Sequence, residues 1–269
     1  MKDKYLIAID LDGTLLTDAK TITSQTKQYL NDLTKLGHCV VIATGRPLRS
    51  VLVYQEHLGI DCPIVCYNGA MTLDYHHHRF DKRIVHFDRD IVKQIINDVG
   101  LENFDNLMIE TESHIYLLRE DEELNTFFWN NGHSIVYGSD FNFDEDPMTL
   151  IFKPRNFADL TFKKKLQHAV EKYEHFNLRF WYDSYYSEVF LSYGTKQHGL
   201  EYIAEKLGFD HKHTIACGDA ENDMQMLKWA QHSIVMLNGD DKMKNHATIV
   251  TDNDNNNDGL VAALKKIIG

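Results

Sequence analysis

The chain predicts an α/β fold, a parallel-sheet core interrupted by an inserted α+β module. Three observations predict it. Short apolar strands alternate with amphipathic helices at both ends of the chain; the rhythm changes in the middle, where aromatic residues gather; and carboxylates recur where strands stop. Such alternation is the pattern of βαβ units, whose crossover helices cover a parallel sheet.

The first strand is read over 4–10, where Leu6-Ile7-Ala8-Ile9 runs into Asp10, and Gly13 then lets the chain turn. A helix over about 24–36, a strand over 38–43, a helix over about 47–58 and a strand over 63–66 complete the first half. From about Asn68 the pattern differs, with helices expected at 88–99, 121–130 and 156–173 and strands at 106–110, 114–119, 148–153 and 176–182. In the first of those helices Ile91, Val92, Ile95, Ile96 and Val99 form one apolar stripe. Helix 196–207 carries Leu200, Ile203, Ala204 and Leu207 on one face and Gly208 as its stop. Strand 213–217, helix 222–230 and strand 232–236 follow. The expected organisation is a Rossmann-like core from residues 1–83 and 188–269, with an α+β domain over 84–187.

A chain of 269 residues with 43% hydrophobic residues can bury a real core, so disorder and coiled coil are excluded. The formal net charge of -12 argues against duplex nucleic acid or an anionic membrane as the main partner. Asp10 and Asp12 break the first apolar run too early for a signal-peptide core or a membrane span, so a cytoplasmic location is expected. Cys39, Cys62, Cys66 and Cys217 have neither CxxC spacing nor the density of a disulfide scaffold and are read as reduced packing residues. No sequence feature sets an oligomeric state.

Four points carry chemistry, each at a strand end or helix start, where an open α/β sheet collects its ligands. They are Asp10 with Asp12; Thr44-Gly45-Arg46; Lys196; and the run from Gly218 through Asp219 and Asn222 to Asp223. In an extended segment side chains at i and i+2 point the same way, so Asp10 and Asp12 are expected to face one site. Each point alone has a plainer reading: a tight turn, a solvated lysine, a helix cap with acidic first-turn residues. Their joint occurrence describes a phosphate and metal site.

In that order and spacing the four points resemble the motifs of the haloacid dehalogenase superfamily of phosphatases, over nearly the whole chain. The long gap between Thr44 and Lys196 is similar to the Cof-type subfamily, with its large C2-type α+β cap, as are Val235-Met236-Leu237-Asn238 and Asp258-Gly259-Leu260. One departure is Ser192-Tyr193-Gly194-Thr195-Lys196, which lacks the proline that relatives often carry there. The resemblance implies a phosphatase acting on sugar phosphates or similar small metabolites, with the cap closing over the core. It implies metal ligation by Asp10, the Asp12 backbone carbonyl and Asp219, with Asp223 near the ion.

The residues support that chemistry physically. An ionised carboxylate needs no base to attack phosphorus, so Asp10 suits a nucleophile that forms an aspartyl-phosphate. Asp12 then suits the acid for the leaving oxygen and afterwards the base for water. Gathering Asp10, Asp12, Asp219 and Asp223 stacks like charges worth about 4 kcal/mol per pair at ~4 Å and an effective dielectric of about 20, so a cation is required. Few, all-oxygen ligands suit Mg²⁺. Thr44, Gly45, Lys196 and Asn222 suit phosphate binding, since transferring phosphoryl oxygens need donors. Two other readings use the same residues: a phosphomutase of the same superfamily, and a phospholigand-binding protein on a retired enzyme scaffold.

Other features read plainly. Asp254, Asn256, Asp258 and Gly259 match the start of a calcium loop, but Lys265 stands where a bidentate glutamate is required, which leaves a polar loop before a final helix. His76-His77-His78 reads as an exposed turn. Phe180, Trp181, Tyr182, Tyr185, Tyr186, Phe190 and Tyr193 read mainly as packing of the inserted sheet and hinge, and Arg46 either reaches a substrate group or sits on its helix.

Overall fold

The structure is a computed structural model that describes residues 3–181 and 185–269. In chain order its elements are β1 (Leu6–Ile9), α1 (Ser24–Lys35), β2 (Cys39–Ala43), α2 (Leu48–Leu58), β3 (Ile64–Cys66), β4 (Met71–Leu73) and β5 (Arg83–Ile84). Then come α3 (Arg89–Val99), β6 (Phe104–Glu110), β7 (Ile115–Leu117), α4 (Glu122–Phe127), β8 (Ile135–Tyr137), β9 (Thr149–Pro154), α5 (Leu160–Glu171), β10 (Phe176–Trp181) and β11 (Tyr186–Leu191). The chain closes with α6 (Lys196–Leu207), β12 (Thr214–Gly218), α7 (Met224–Trp229), β13 (His232–Val235), α8 (Asp241–Lys244), β14 (Ile249–Val250) and α9 (Gly259–Ile268).

Two compact units result, one from the chain up to Arg83 with Thr195–Gly269, the other from Ile84–Gly194. The first sheet runs β14-β13-β12-β1-β2-β3-β4-β5. Strands β14 to β3 are parallel in that order, and β4 joins β3 antiparallel. Every residue of β1, β2 and β12 is buried, as expected of parallel strands covered on both faces. The strand order runs outward from β1 in both directions, with Ile9 in register with Ile42 on one side and Cys217 on the other. The loops leaving β1, β2 and β12 therefore gather at the switch point where open α/β sheets bind ligands.

The second unit is a sheet in the order β10-β11-β9-β6-β7-β8, antiparallel except for β7 with β8. The stripe read on α3 is buried at Val92, Ile95, Ile96 and Val99, and packs with Phe162 and Leu166 of α5 against Phe104 and Phe152 of the sheet. Met108, Leu117, Ile151 and Tyr186 build a second cluster with Leu124 of α4.

Expectation and structure differ in places. Residues 188–194, read as core, lie in the second unit, because β11 pairs with β10 on one side and β9 on the other. Helix 156–173 shortens to α5, which starts only after Asp159 caps the Thr161 amide, and helix 222–230 divides into a 3-10 turn at Glu221–Asp223 followed by α7. The turn at His76–His78 is exposed, and all four cysteines are buried and free. Burial pushes the Cys62 thiol up to about 12, which suits packing and not reactivity. Of the aromatics, Tyr186 packs among Phe127, Phe128 and Trp181, while Tyr182 lies outside the described residues. Among the described residues no helix is long and apolar enough to cross a membrane.

Candidate active site

Asp10 is the first residue beyond β1, its amide bonded to the Cys217 carbonyl of β12 at 2.9 Å. Lys196, the first residue of α6, is 1% exposed, and its ammonium donates to Asp10 Oδ1 at 2.5 Å and Asp223 Oδ1 at 2.6 Å. Asp223 is wholly buried, and its Oδ2 accepts the Asp219 and Ala220 amides at 2.9 and 3.1 Å. The helix-cap reading of this run is thus also true, and the cap is what holds the loop. Asp219 Oδ1 accepts from the Thr14 hydroxyl at 3.2 Å.

The two backbones meet at glycines. Gly13 has φ +74°, and a Cβ there would stand 2.3 Å from Asp219 Oδ2, so only glycine lets the first loop pass the carboxylate. Gly69 has φ +111°, and its Cβ would stand 2.1 Å from the Thr195 carbonyl. That close approach seats the start of α6 and thereby Lys196.

Carboxylate oxygens of Asp10, Asp219 and Asp223 all lie within 4.8 Å of one another. Burial, reinforced by the neighbouring carboxylates, raises Asp10 well above the ordinary range against the pull of Lys196. Burial and Asp223 push Asp219 up to about 7. Burial alone would lower the Lys196 ammonium, but Asp10 and Asp223 over-ride it and hold it raised. Three carboxylates against one ammonium leave a deficit of positive charge, and a hard cation on these oxygens fits that deficit.

Asp12 is held by cations of its own. Its Oδ2 accepts Arg46 Nε at 2.7 Å, and its Oδ1 accepts Arg46 Nη2 at 2.7 Å and Lys20 Nζ at 2.6 Å. Burial opposes its ionisation, yet these charged bonds hold it below the usual carboxylate range. β1 ends at Ile9, so residues 10–12 lie beyond the strand, and the Asp12 carboxylate takes its own cations while its charge still reaches Asp219. Arg46, left open between substrate and helix surface, is here the partner of Asp12.

Thr44 is the first residue beyond β2, its amide bonded to the Val65 carbonyl at 2.8 Å and its hydroxyl accepting the Arg46 amide at 3.1 Å. Gly45 and Asn222 converge on a residue the sequence reading passed over. Asn68 Oδ1 accepts Asn222 Nδ2 at 3.0 Å, and a Cβ on Gly45 would stand 2.9 Å from the same oxygen. Tyr67, Asn68 and Gly69 have φ of 51°, 55° and 111°, and the Asn68 amide bonds the Thr44 carbonyl. The signal in the sequence is the Asn-Gly pair, which by itself marks only a turn where the pattern of the chain changes.

A model of the haloacid dehalogenase-like hydrolases matches residues 7–264. A 5-amino-6-(5-phospho-D-ribitylamino)uracil phosphatase of Bacillus subtilis is 33% identical, the match covering 97% of this chain and 97% of that protein. A pyridoxal phosphate phosphatase of Escherichia coli is 26% identical, with 95% of each chain covered. Among solved structures, a subclass IIB sugar phosphatase shares the fold with a TM-score of 0.80 at 21% identity, over 98% of each chain.

Proposed function

The chain belongs to the haloacid dehalogenase-like hydrolases, as a Cof-type subclass IIB phosphatase, and from that premise we propose that it hydrolyses small phosphate esters through an aspartyl-phosphate on Asp10. The observation that carries the reading is the buried Lys196 bridging Asp10 and Asp223 beside Asp219. Lys196 pulls Asp10 toward the ionised form that a nucleophile needs, against burial and the neighbouring carboxylates, and a cation on the cluster would complete that pull. In the first half-reaction an Asp10 oxygen bonds phosphorus, the ester P–O bond breaks, and its electron pair leaves with the alcohol oxygen, which takes a proton from Asp12. In the second, water attacks phosphorus while Asp12 takes its proton, and the bond between phosphorus and the Asp10 oxygen breaks, releasing phosphate and restoring the Asp10 carboxylate.

Arg46 and Lys20 hold Asp12 in the form that accepts a proton, so the resting arrangement suits the second half-reaction. For the first, Asp12 must gain a proton as those bonds loosen. Thr44, Gly45 and Asn222, with Asn68, are the proposed phosphate contacts. Asp10, Asp219 and Asp223 would hold Mg²⁺, with the Asp12 carbonyl as a further ligand. Bound there, the ion would supply charge compensation for the phosphate.

For substrate, we place small phosphorylated metabolites first, and among them the phosphoribitylamino-uracil for which the 33% identical relative is named. The test is turnover of a panel of that compound, pyridoxal phosphate and sugar phosphates, with and without Mg²⁺. Asp10→Asn should lower kcat by at least about 10³-fold with an unchanged circular dichroism spectrum. A fully active Asp10→Asn protein overturns the assignment. Phosphate released in isotope-labelled water should carry the label; unlabelled product moved to a second hydroxyl would instead favour the mutase.

A further inference from the structure

We propose that Asn238 is a positioning residue for the acidic cluster, tying the loop after β1 to the loop after β12 and so setting how tightly Asp10, Asp219 and Asp223 bind a divalent cation. The inference rests on the metal reading above. It begins from two stretches that the proposed chemistry does not use, Val235–Asn238 and the asparagine-rich run from Asn253 to Asp258.

The turn after β13 grips the Asp219 loop through its backbone. The Met236 amide bonds the Gly218 carbonyl at 3.1 Å, and the Asp240 amide bonds the Asp219 carbonyl at 2.9 Å. Gly239 lies so close that a Cβ on it would stand 2.9 Å from the same Asp219 carbonyl. From this turn the Asn238 side chain reaches across to the other loop, its Nδ2 donating to the Gly13 carbonyl at 2.8 Å. Gly13 is the residue that passes directly under the Asp219 carboxylate. One short turn therefore holds the main chain of both loops between which the ion would sit.

The asparagine-rich run braces the strut. Asn238 Oδ1 accepts the Asn255 amide at 3.1 Å. Asn255 is buried, and its Nδ2 donates to the Leu16 carbonyl at 2.8 Å and Asp18 Oδ1 at 3.1 Å. Asn256 grips Asp18 in turn, giving Nδ2 to Asp18 Oδ2 and accepting the Asp18 amide through Oδ1, each at 3.0 Å. The run that failed as a calcium loop is thus the clamp that fixes residues 13–18.

Hard cations require oxygen ligands within narrow distance limits, and outer partners that orient those ligands typically change affinity 10–100-fold when removed. Asn238 is itself exposed and fills no core space, so its loss should move the loops without unfolding the chain. The experiment is calorimetric titration of Mg²⁺ into the metal-free 269-residue chain, comparing wild type, Asn238→Ala and Asp219→Asn, with thermal melts in chelator. Asn238→Ala should bind Mg²⁺ about tenfold more weakly, melt with wild type in chelator, and recover wild-type KM at saturating ion. Equal Mg²⁺ affinity in wild type and Asn238→Ala overturns the inference, as does a much lower melting temperature in chelator, which would make the residue structural. If wild type binds no better than Asp219→Asn, the metal reading itself falls.

Discussion

Asp10 and Asp12 are two residues apart and live in opposite electrostatic surroundings. Asp10 is buried with one ammonium among three carboxylates, whereas Asp12 is partly exposed with two cations to itself. These surroundings push the two titrations in opposite directions, Asp10 up and Asp12 down, so the proposed roles need a cation on the cluster to ionise Asp10 and a loosening of the Arg46 and Lys20 bonds to protonate Asp12. The same surroundings predict a pH effect in chelator. Asp219 is pushed up to about 7, while in the unfolded chain it titrates near 4, so between these values the folded state holds more protons. Folding stability carried by this group is therefore greatest near pH 4 and falls as pH rises toward 7. Urea midpoints at pH 5 and pH 7.5 should show this loss in wild type, less of it in Asp219→Asn, and recovery when Mg²⁺ is added at the higher pH. Identical pH dependence in wild type and Asp219→Asn would remove the group from the explanation.

At the scale of elements, the close approach of the Tyr67–Gly69 turn to the start of α6 is what delivers Lys196, and Gly69→Ala tests it. A Cβ 2.1 Å from the Thr195 carbonyl, at φ +111°, must displace backbone, so a loss of about 2 kcal/mol or more is expected together with a fall in kcat. Gly132→Ala is the matched control, with φ +86° and open space around its Cβ, and should cost about 1 kcal/mol with activity intact. Equal activity in the two variants would show that the turn does not seat Lys196. This pair also marks what the sequence made legible. Asp10, Lys196, Asp219 and Asp223 were readable because each ends a buried strand or opens a helix, and the parallel register then forces them together. Asn68 was not, since an Asn-Gly pair signals a turn without saying what the turn packs against. Helices α3 and α6 were readable from their periodic apolar stripes. Strands β4, β5, β8 and β14 have two or three residues, too few to show a period, and β11 follows β10 so closely that its alternation merged with the aromatic run before it.

For the molecule as a whole, the decisive fact is that one unit is continuous in sequence and the other is not. Ile84–Gly194 contains all the partners of its own sheet from β6 to β11 and a core in which Phe104, Phe152, Leu166 and Val92 are buried to within 2% of full exclusion. Its length lies within the usual domain range, and its helices bring their own caps, with the Asp88 carboxylate accepting the Asp90 and Ile91 amides and that of Asp159 accepting the Thr161 amide. The core unit, in contrast, needs β12 beside β1, which are more than 200 residues apart in the chain. Expressed alone, residues 84–194 should therefore unfold in urea in one cooperative transition with dispersed amide resonances, whereas residues 1–83 alone should not fold, lacking the strand on one side of β1. Leu166→Ala in the fragment should lower its stability by about 2–5 kcal/mol, because a fully buried leucine is removed from a packed core. A fragment that gives a broad, non-cooperative transition would mean that the inserted unit depends on the rest of the chain, and the account of it as a self-sufficient domain would have to be withdrawn.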